Sequence, residues 1–345
     1  MDKPARQSST AATLRDVSEE DLLALILPLM VALPEQVAAG ISVGPGDDAA
    51  VLATDAATIL TTDSMVRGRD WRDEWSSPSD VGVKLVVQNV ADVAAMGGRP
   101  TGLLVTLAAD PDLPIDWVCR LAEGIGAAAR AADAHVVGGD LSSAPAGTVV
   151  VSVTAVGTLE GRKPLLRSGA RPGDVVAVCG TLGTSGAGLH LLLSAHRAAP
   201  TGTPHAARAE ELIDAHRRPH CPLAEGPRAA VAGATAMIDI SDGLLRDASR
   251  IAAASAVRLD LHRDALAPDV ERLAAAVGAE VALECVLSGG EEHSLLACMP
   301  SDVAQTLGAP WRVIGSVVAG EGVSLDGIPA QPRGWDHFRA DAPTT

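Results

Sequence analysis

"MIDISDGLLRD", residues 237–247, carries an apolar, strand-like run into a helix-like one through a turn that holds Asp239, Ser241 and Asp242, with Asp247 a little further on. Strands that alternate with helices define an α/β fold. The acidic turn sets a question of its own. Like charges at the edge of a core element repel, so the stretch is either a surface loop or a place where something strongly positive belongs.

The alternation extends to both sides. Upstream, "AAVLA" and "ATILTTD" read as strands, and Pro78 opens a helix that runs to Met96 and ends at Gly97-Gly98. "LLVTLA" is a strand, Pro114 opens a helix of about five turns, and "HVVGGD" and "TVVVSVTAVGTL" are strands. Residues 161–173, "GRKPLLRSGARPG", are loop-like. Beyond them "DVVAVCG" and "ATAMIDI" are strands, a helix covers Asp242 to Ala256, and "VRLDL", "HSLLACM" and "WRVIGSVV" complete a second set. This divides the chain into a flexible tail (1–16), an N-terminal domain (17–160) and a C-terminal domain (161–345). Residues 194–210, rich in Ala, Pro and Thr, read as a surface insertion. The pattern alone does not separate parallel from mixed sheets.

Composition bounds the function. The chain has 345 residues, 47% of them hydrophobic, enough for two domains with a sizeable core. Its formal charge of -16 argues against a nucleic-acid or anionic-membrane surface, which needs clustered Lys and Arg. With five Trp, one Phe and no Tyr, a base-stacking platform has little to build on. Five cysteines without a C-x-x-C pair fit a reducing cytoplasm better than a disulfide framework or a thiolate zinc site. The apolar run from Leu22 to Leu33 is too short to span a bilayer and is broken by Pro28, and "MDKPARQSST" has no features of a secretory leader.

Four acidic clusters share one setting, an apolar strand ending in a Gly- or Ser-rich turn: "GPGDDAAVL" (Asp47, Asp48), "ILTTDS" (Thr61, Thr62, Asp63), "VVGGDLS" (Asp140) and "MIDISDG" (Asp239, Asp242). A fifth carboxylate, Asp92, shares a helix face with Lys84 and Gln88. Each cluster taken singly reads as turn chemistry. Carboxylates converging on one site, however, cannot all stay ionised without cations. Oxygen ligands with Thr hydroxyls suit Mg²⁺, which keeps waters and is usually shared with substrate phosphates. Gly138, Gly139, Gly289 and Gly290 let backbone N–H groups approach phosphate oxygens, and Ser241-Asp242-Gly243 offers N–H groups at a helix start. There is no G-x-x-x-x-G-K-[ST] loop. On the residues alone, Arg167 reads as a solvated loop arginine rather than a phosphate contact.

From about residue 17 to 338, "GPGDDAAVL", "LTTDSMV", "VVQNVADVAAMGGRP", "VVGGDLS", "LLRSGARPGD", "MIDISDGLLRD", "LSGGEEHSLL" and "GWDHF" occur in the order found in thiamine-monophosphate kinases, and the chain resembles that family. The acidic and ISDGL motifs are shared with aminoimidazole ribonucleotide synthetase and selenophosphate synthetase, whereas the "NVADVAAMG" helix and "GWDHF" resemble the kinase. The resemblance implies an α/β, mixed-sheet, two-domain synthetase-like fold with N-terminal domains pairing in a homodimer, and ATP-dependent phosphorylation of thiamine monophosphate to thiamine diphosphate. It implies several Mg²⁺ ions held by Asp47, Thr61, Thr62, Asp63, Asp92, Asp140, Asp239 and Asp242. It implies ATP contacts at Gly139, Asp140, Arg167 and Ser241, and substrate contacts at Asp70, Glu291 and Trp335.

The chain departs from the family pattern at Asp70, where members often carry His, at "GGEEHSLL" in place of "GGEDYEL", and at Ala122, where some members offer ATP an aromatic ring. The expected mechanism needs no general base, and the sequence suggests no His–carboxylate pair, because the acceptor phosphate, with a second pKa of about 6, is largely an oxyanion at neutral pH. Trp335 reads either as a partner for the cationic thiazolium or as packing for the C-terminal segment. Two other readings stay open: a sister ATP-dependent enzyme with another substrate, and a non-catalytic acidic metal- or nucleotide-binding protein. Selenophosphate synthetase would want a reactive Cys near the N-terminus, and here no Cys precedes Cys119.

Overall fold

A computed structural model describes residues 12–31, 40–43, 45, 49–54, 57–194 and 204–335. In chain order the helices are α1 (Glu19–Met30), α2 (Pro78–Ala95), α3 (Ile115–Ala131), α4 (Thr184–Leu193), α5 (Pro204–Arg217), α6 (Glu225–Ala232), α7 (Leu244–Ser255), α8 (Arg263–Val277), α9 (Ala279–Ser288) and α10 (Ser301–Leu307). The strands are β1 (Ile41–Val43), β2 (Val51–Leu52), β3 (Thr58–Val66), β4 (Arg99–Ala109), β5 (His135–Ser143), β6 (Val149–Thr158), β7 (Val175–Cys179), β8 (Ala236–Asp239), β9 (Arg258–Leu261), β10 (Leu295–Met299), β11 (Trp311–Val318), β12 (Gly322–Leu325) and β13 (Ile328–Ala330).

Strands β3-β6-β4-β5 form one sheet in that order, antiparallel except for the parallel pair β4/β5. Along β6 buried and half-buried residues alternate, the period-two signature of a sheet with one face on a core. Val149, Val151, Val153 and Ala155 face the core under α2 and α3. The other face is solvated: Leu60 is 68% and Leu104 39% exposed. The second sheet, β13-β12-β9-β11-β7-β10-β8, is antiparallel except for β9/β12. Both sheets are therefore mixed. Strands β7 and β10 are buried on both faces: Val176, Val178, Leu296 and Cys298 meet the core shared with α4, α7, α8 and α9, while Ala177, Leu295, Ala297 and Met299 face α6, α10 and α2.

Helix α2 joins the two cores. Pro78 supplies a preset φ at its first turn, and Ser77 and Asp80 form a reciprocal capping box. The chain leaves it at Gly97, whose φ of +75° favours glycine. Leu85, Val86, Val90 and Val93 pack under the first sheet, while Ala91, Ala94 and Ala95 pack against Met237, Leu295 and Ala297 of the second unit. The small alanines let the second unit approach closely along this line.

Two sequence expectations change. The stretch 194–210 is not wholly an insertion, because α5 already begins at Pro204; residues 195–203 lie outside the described residues. The expected helix from Asp242 begins at Leu244 instead, since Asp242 and Gly243 shape the turn before it. Among the described residues no helix is long and apolar enough to cross a membrane.

Candidate active site at the seam of two sheets

One face of α2 carries the contacts that join the units. Asp80 pairs with Arg218 at the end of α5. One turn on, Lys84 Nζ lies 2.5 Å from Glu291 Oε2. Two turns beyond Lys84, Asp92 accepts a hydrogen bond from Thr61 Oγ1 at 2.7 Å. Residues 80, 84, 88 and 92 recur every four positions, so they form one stripe on the helix.

Asp92 is the electrostatic centre of this stripe. Burial, and then the charge of Asp239 at the end of β8, push its carboxyl up to about 6; the Thr61 hydroxyl acts in the opposite direction, and Asp63 adds to the rise. Three aspartates, one from each sheet and one from α2, thus share one region. Such carboxylates raise each other's pKa until a cation relieves them, and hard oxygen donors suit Mg²⁺. The donor set fits the expected ion. Among the described residues no three carboxylate, imidazole or thiolate groups form a ready cage. Asp47 lies outside the described residues.

The turn quoted at the outset interlocks with residues 288–294. The Glu291 N–H donates to the Ser241 carbonyl at 2.7 Å, His293 N–H to Ile240 at 2.8 Å, and Ile240 N–H to Ser294 at 2.8 Å. Two glycines permit the approach: a Cβ on Gly290 would sit 2.7 Å from the Ser241 oxygen, and one on Gly243 2.6 Å from the Ser288 oxygen. Glu291 (φ +57°) and His293 (φ +53°) both adopt left-handed backbone. Non-glycine residues rarely do so unless their surroundings enforce it, and such strain clusters at functional sites. The alternation sends Glu291 toward α2 and buried Glu292 the other way, where it accepts from the Ser185 N–H at 3.0 Å at the start of α4.

The three aspartates of the turn have different tasks. Asp239 faces the Asp92 region and touches His293 Nδ1 at 3.2 Å. Asp242 is paired with Arg250 at 2.5 Å. Asp247 is buried and accepts from the Asp242 and Gly243 N–H groups at 2.9 and 3.0 Å, so it ties the turn to α7. Burial, then Asp239, push its carboxyl up to about 7, with Arg250 opposing.

Trp335 belongs to the same turn. Its N–H donates to the Asp242 carbonyl at 3.0 Å, and its own carbonyl accepts from Arg246. It therefore lies beside the Ser241 loop. Both bonds use Trp335 backbone atoms and survive substitution. Trp335→Ala therefore removes only the ring; for the ligands the resemblance implies, calorimetry should show thiamine-monophosphate binding weakened by roughly 0.5–2 kcal/mol with ATP affinity kept. Unchanged affinity with a lowered melting temperature would mark the ring as packing.

Other expected site residues are placed apart. Thr62 points to the solvated face of the first sheet, bonded to the Val153 carbonyl and Thr154 Oγ1 at 3.0 Å each. Asp140 lies on the same face, on β5, held by Ser142 Oγ at 2.9 Å. Asp63 sits on edge strand β3 and Asp140 on edge strand β5, three strand spacings or about 14 Å apart, on opposite faces. Beside Asp140, Gly139 has a packing reason to be glycine, since a Cβ there would lie 1.8 Å from the Val105 carbonyl oxygen. Asp70 accepts from the Val66 N–H at 2.7 Å and closes its own turn. Arg167 is exposed on the linking loop, its carbonyl taking the Ser255 hydroxyl at 3.0 Å.

Sequence reading missed two histidines. His293 contacts Asp239, and buried His216 lies 3.5 Å from Glu291 Oε2, so His–carboxylate pairs do exist here. Their partners are distant in sequence and no motif signals them. Burial, then the Lys84 charge, push the His216 imidazole down to about 3, so it stays neutral. His293 is held above its ordinary value: burial opposes the charge, but the Asp239 hydrogen bond and the Asp239 and Glu291 charges outweigh it.

The family comparisons agree with this architecture. Residues 46–159 match the AIR synthase related protein N-terminal domain, and residues 171–328 match the C-terminal domain. The fold and the acidic seam thus define an AIR synthase-related protein. Thiamine-monophosphate kinase from Mycobacterium tuberculosis is 44% identical over 299 residues, 84% of this chain and 83% of that protein. The Corynebacterium glutamicum kinase is 37% identical over 303 residues, 85% of this chain and 88% of that protein. The crystal structure of thiamine-monophosphate kinase from Stenotrophomonas maltophilia superposes with a TM-score of 0.78 at 33% identity, covering 89% of this chain and 97% of that one. AaThiL complexed with AMPPCP and TMP gives 0.73 at 31% identity, covering 96% and 100%. The chain belongs to the thiamine-monophosphate kinase family.

Proposed function

We propose that this member of the family transfers the γ-phosphoryl group of ATP in line to the phosphate of thiamine monophosphate, giving ADP and thiamine diphosphate. The observation that carries the reading is the meeting of Asp63, Asp92 and Asp239 across the seam, with the Asp92 carboxyl pushed up to about 6 by burial and its neighbours. Asp63, Asp92, Asp239 and the Thr61 hydroxyl would hold Mg²⁺, which offsets the repulsion between two polyanions and stabilises the transferring group. The chain's own part is positioning. The turn 239–243, whose Asp242 and Gly243 N–H groups are taken up by Asp247, holds Asp239 toward the Asp92 region and keeps Ser241 beside it. Asp47, Asp140, Asp242, Gly139, Arg167 and Ser241 complete the proposed metal and ATP contacts, and Asp70, Glu291 and Trp335 the substrate contacts. No proton need be removed from the acceptor, because the phosphate is already an oxyanion.

We take the two units to divide within the loop after residue 160 and the chain to work as a homodimer. The solvated sheet face supports this, with Leu60 and Leu104 exposed on it. So does the separation of Asp63 from Asp140: a second copy laid on that face could bring its own Asp140 to the first copy's seam. ATP as co-substrate and five unpaired thiols fit the cytoplasm. Phosphorus NMR of the purified protein with ATP, Mg²⁺ and thiamine monophosphate should give thiamine diphosphate and ADP in equal amounts. ATP hydrolysis without that product, or no reaction, would overturn the reading.

A further inference from the structure

Lys84 is a buried cation on the helix that joins the two units. Its side chain is 4% exposed, while that of its partner Glu291 is 35% exposed, so the glutamate lies nearer the surface and the ammonium stands behind it. The Nζ–Oε2 distance is 2.5 Å. His216 Nδ1 lies 3.5 Å from the same oxygen and 3.0 Å from Ser185 Oγ. His216 stays neutral at working pH, since burial and then Lys84 hold it down to about 3, so it cannot balance the Glu291 charge. Burial alone would raise the Glu291 carboxyl, but the Lys84 charge, with His216, the Lys84 hydrogen bond and His293 together, holds it below its ordinary value.

The placement along α2 says which end of a ligand this pair meets. Lys84 and Asp92 lie on one helix face eight residues apart, a rise of about 12 Å. Asp92 marks the phosphoryl end. The Lys84–Glu291 pair is thus displaced from Asp92 by two turns of α2 toward Pro78, and the organic part of a phosphorylated substrate would extend on that side. A glutamate side chain otherwise has several rotamers, and a loop with left-handed backbone at Glu291 fixes only its Cα and Cβ. The ion pair fixes the carboxylate.

We infer that Lys84 is a positioning residue, which locks the Glu291 carboxylate toward the organic end of the substrate and acts on turnover only through it. The inference rests on the kinase reading above. It assigns a task to a residue outside the acidic motifs, and it makes substrate recognition depend on α2 and the 288–294 loop being seated together.

The test is a double-mutant cycle read in both Michaelis constants. Lys84→Met should raise KM for thiamine monophosphate by roughly 10- to 100-fold, as expected for a positioning contact of one charge pair. KM for ATP should stay within about threefold. Glu291→Gln should give a similar rise, and the double variant should be no worse than the worse single, because the two residues then act as one. Should Lys84→Met not fold, Lys84→Gln keeps a donor to Glu291 and loses the charge; it should show a smaller rise confined to thiamine monophosphate. Three results would overturn the inference: an unchanged substrate KM in the folded variant, equal rises in both constants, or multiplicative effects in the double variant. A wild-type protein that does not turn over thiamine monophosphate would overturn the kinase reading as well. Normal wild-type turnover with unaltered Lys84 variants would sink only the role of the pair.

Discussion

Asp63→Asn and Asp140→Asn should each abolish measurable turnover, and an equal mixture of the two variants should regain about a quarter of the wild-type rate. Each substitution removes one charge from groups expected to hold the cations that neutralise the transferring phosphoryl group. Losing one such preorganised electrostatic contact costs on the order of 10²–10³ in rate, and more where a metal ion leaves with it. The fold should survive. Asp63 sits beside Asp92 in a crowded acidic region, and removing a charge there relieves repulsion. Recovery on mixing follows from placement. Asp63 and Asp140 lie on opposite faces and opposite edges of one four-stranded sheet, so the two side chains of a single chain do not meet. If a second copy supplies the Asp140 of each site, a mixed dimer holds one site with both aspartates intact and one with neither. Random pairing makes half of the dimers mixed, hence the quarter. Subunits are exchanged under mild denaturant and assayed after refolding. Activity at wild-type level in either variant would remove that aspartate from the site, and an inactive mixture would mean that each chain builds its site alone.

The same placement explains what a sequence can reveal. The N-terminal strands and α2 are legible because their signals are local. Pro78, the Ser77–Asp80 box and Gly97 punctuate one helix, and the alternation from Val149 to Thr158 marks one half-buried strand. The seam is legible only in part. The repeated carboxylates point to convergence, yet nothing in "ILTTDS" tells that Thr61 and Asp63 face α2 while Thr62 faces away, because the period of two fixes alternation and not its phase. The second sheet places β7 between β10 and β11, strands more than a hundred residues on, and no local pattern encodes that order. Helices α4 and α5 show weak apolar periodicity. The contact from Lys84 to Glu291 spans 207 residues. Lys84 drew notice only as a neighbour of Asp92 on a helix face, and the carboxylate it holds became evident once the two sheets were seated.

Free thiamine should be a poor acceptor, with kcat/KM at least about 10³-fold below that for thiamine monophosphate. The argument is one of protons. A phosphate monoester at neutral pH presents an oxyanion, since its second pKa is about 6. The thiamine hydroxyl is an alcohol with a pKa near that of water, about 15.7, and must lose its proton as the bond forms. A positioned general base contributes typically 10²–10⁴-fold to such a step and needs a pKa near the working pH. Two imidazoles stand near the seam and neither qualifies. His216 is held at about 3 by burial and then by Lys84, which makes it too weak a base. His293 is buried with its Nδ1 engaged by Asp239 at 3.2 Å, so its ring is committed to that carboxylate and not open to an acceptor hydroxyl. Free thiamine also lacks the oxygens through which a phosphate joins a shared metal shell. Parallel assays with the two acceptors at equal concentration, following thiamine monophosphate or thiamine diphosphate formation, separate the cases. Efficient transfer to free thiamine would require a base that these residues do not supply, and the mechanism would then have to pass through a group outside the seam of α2, β3 and β8.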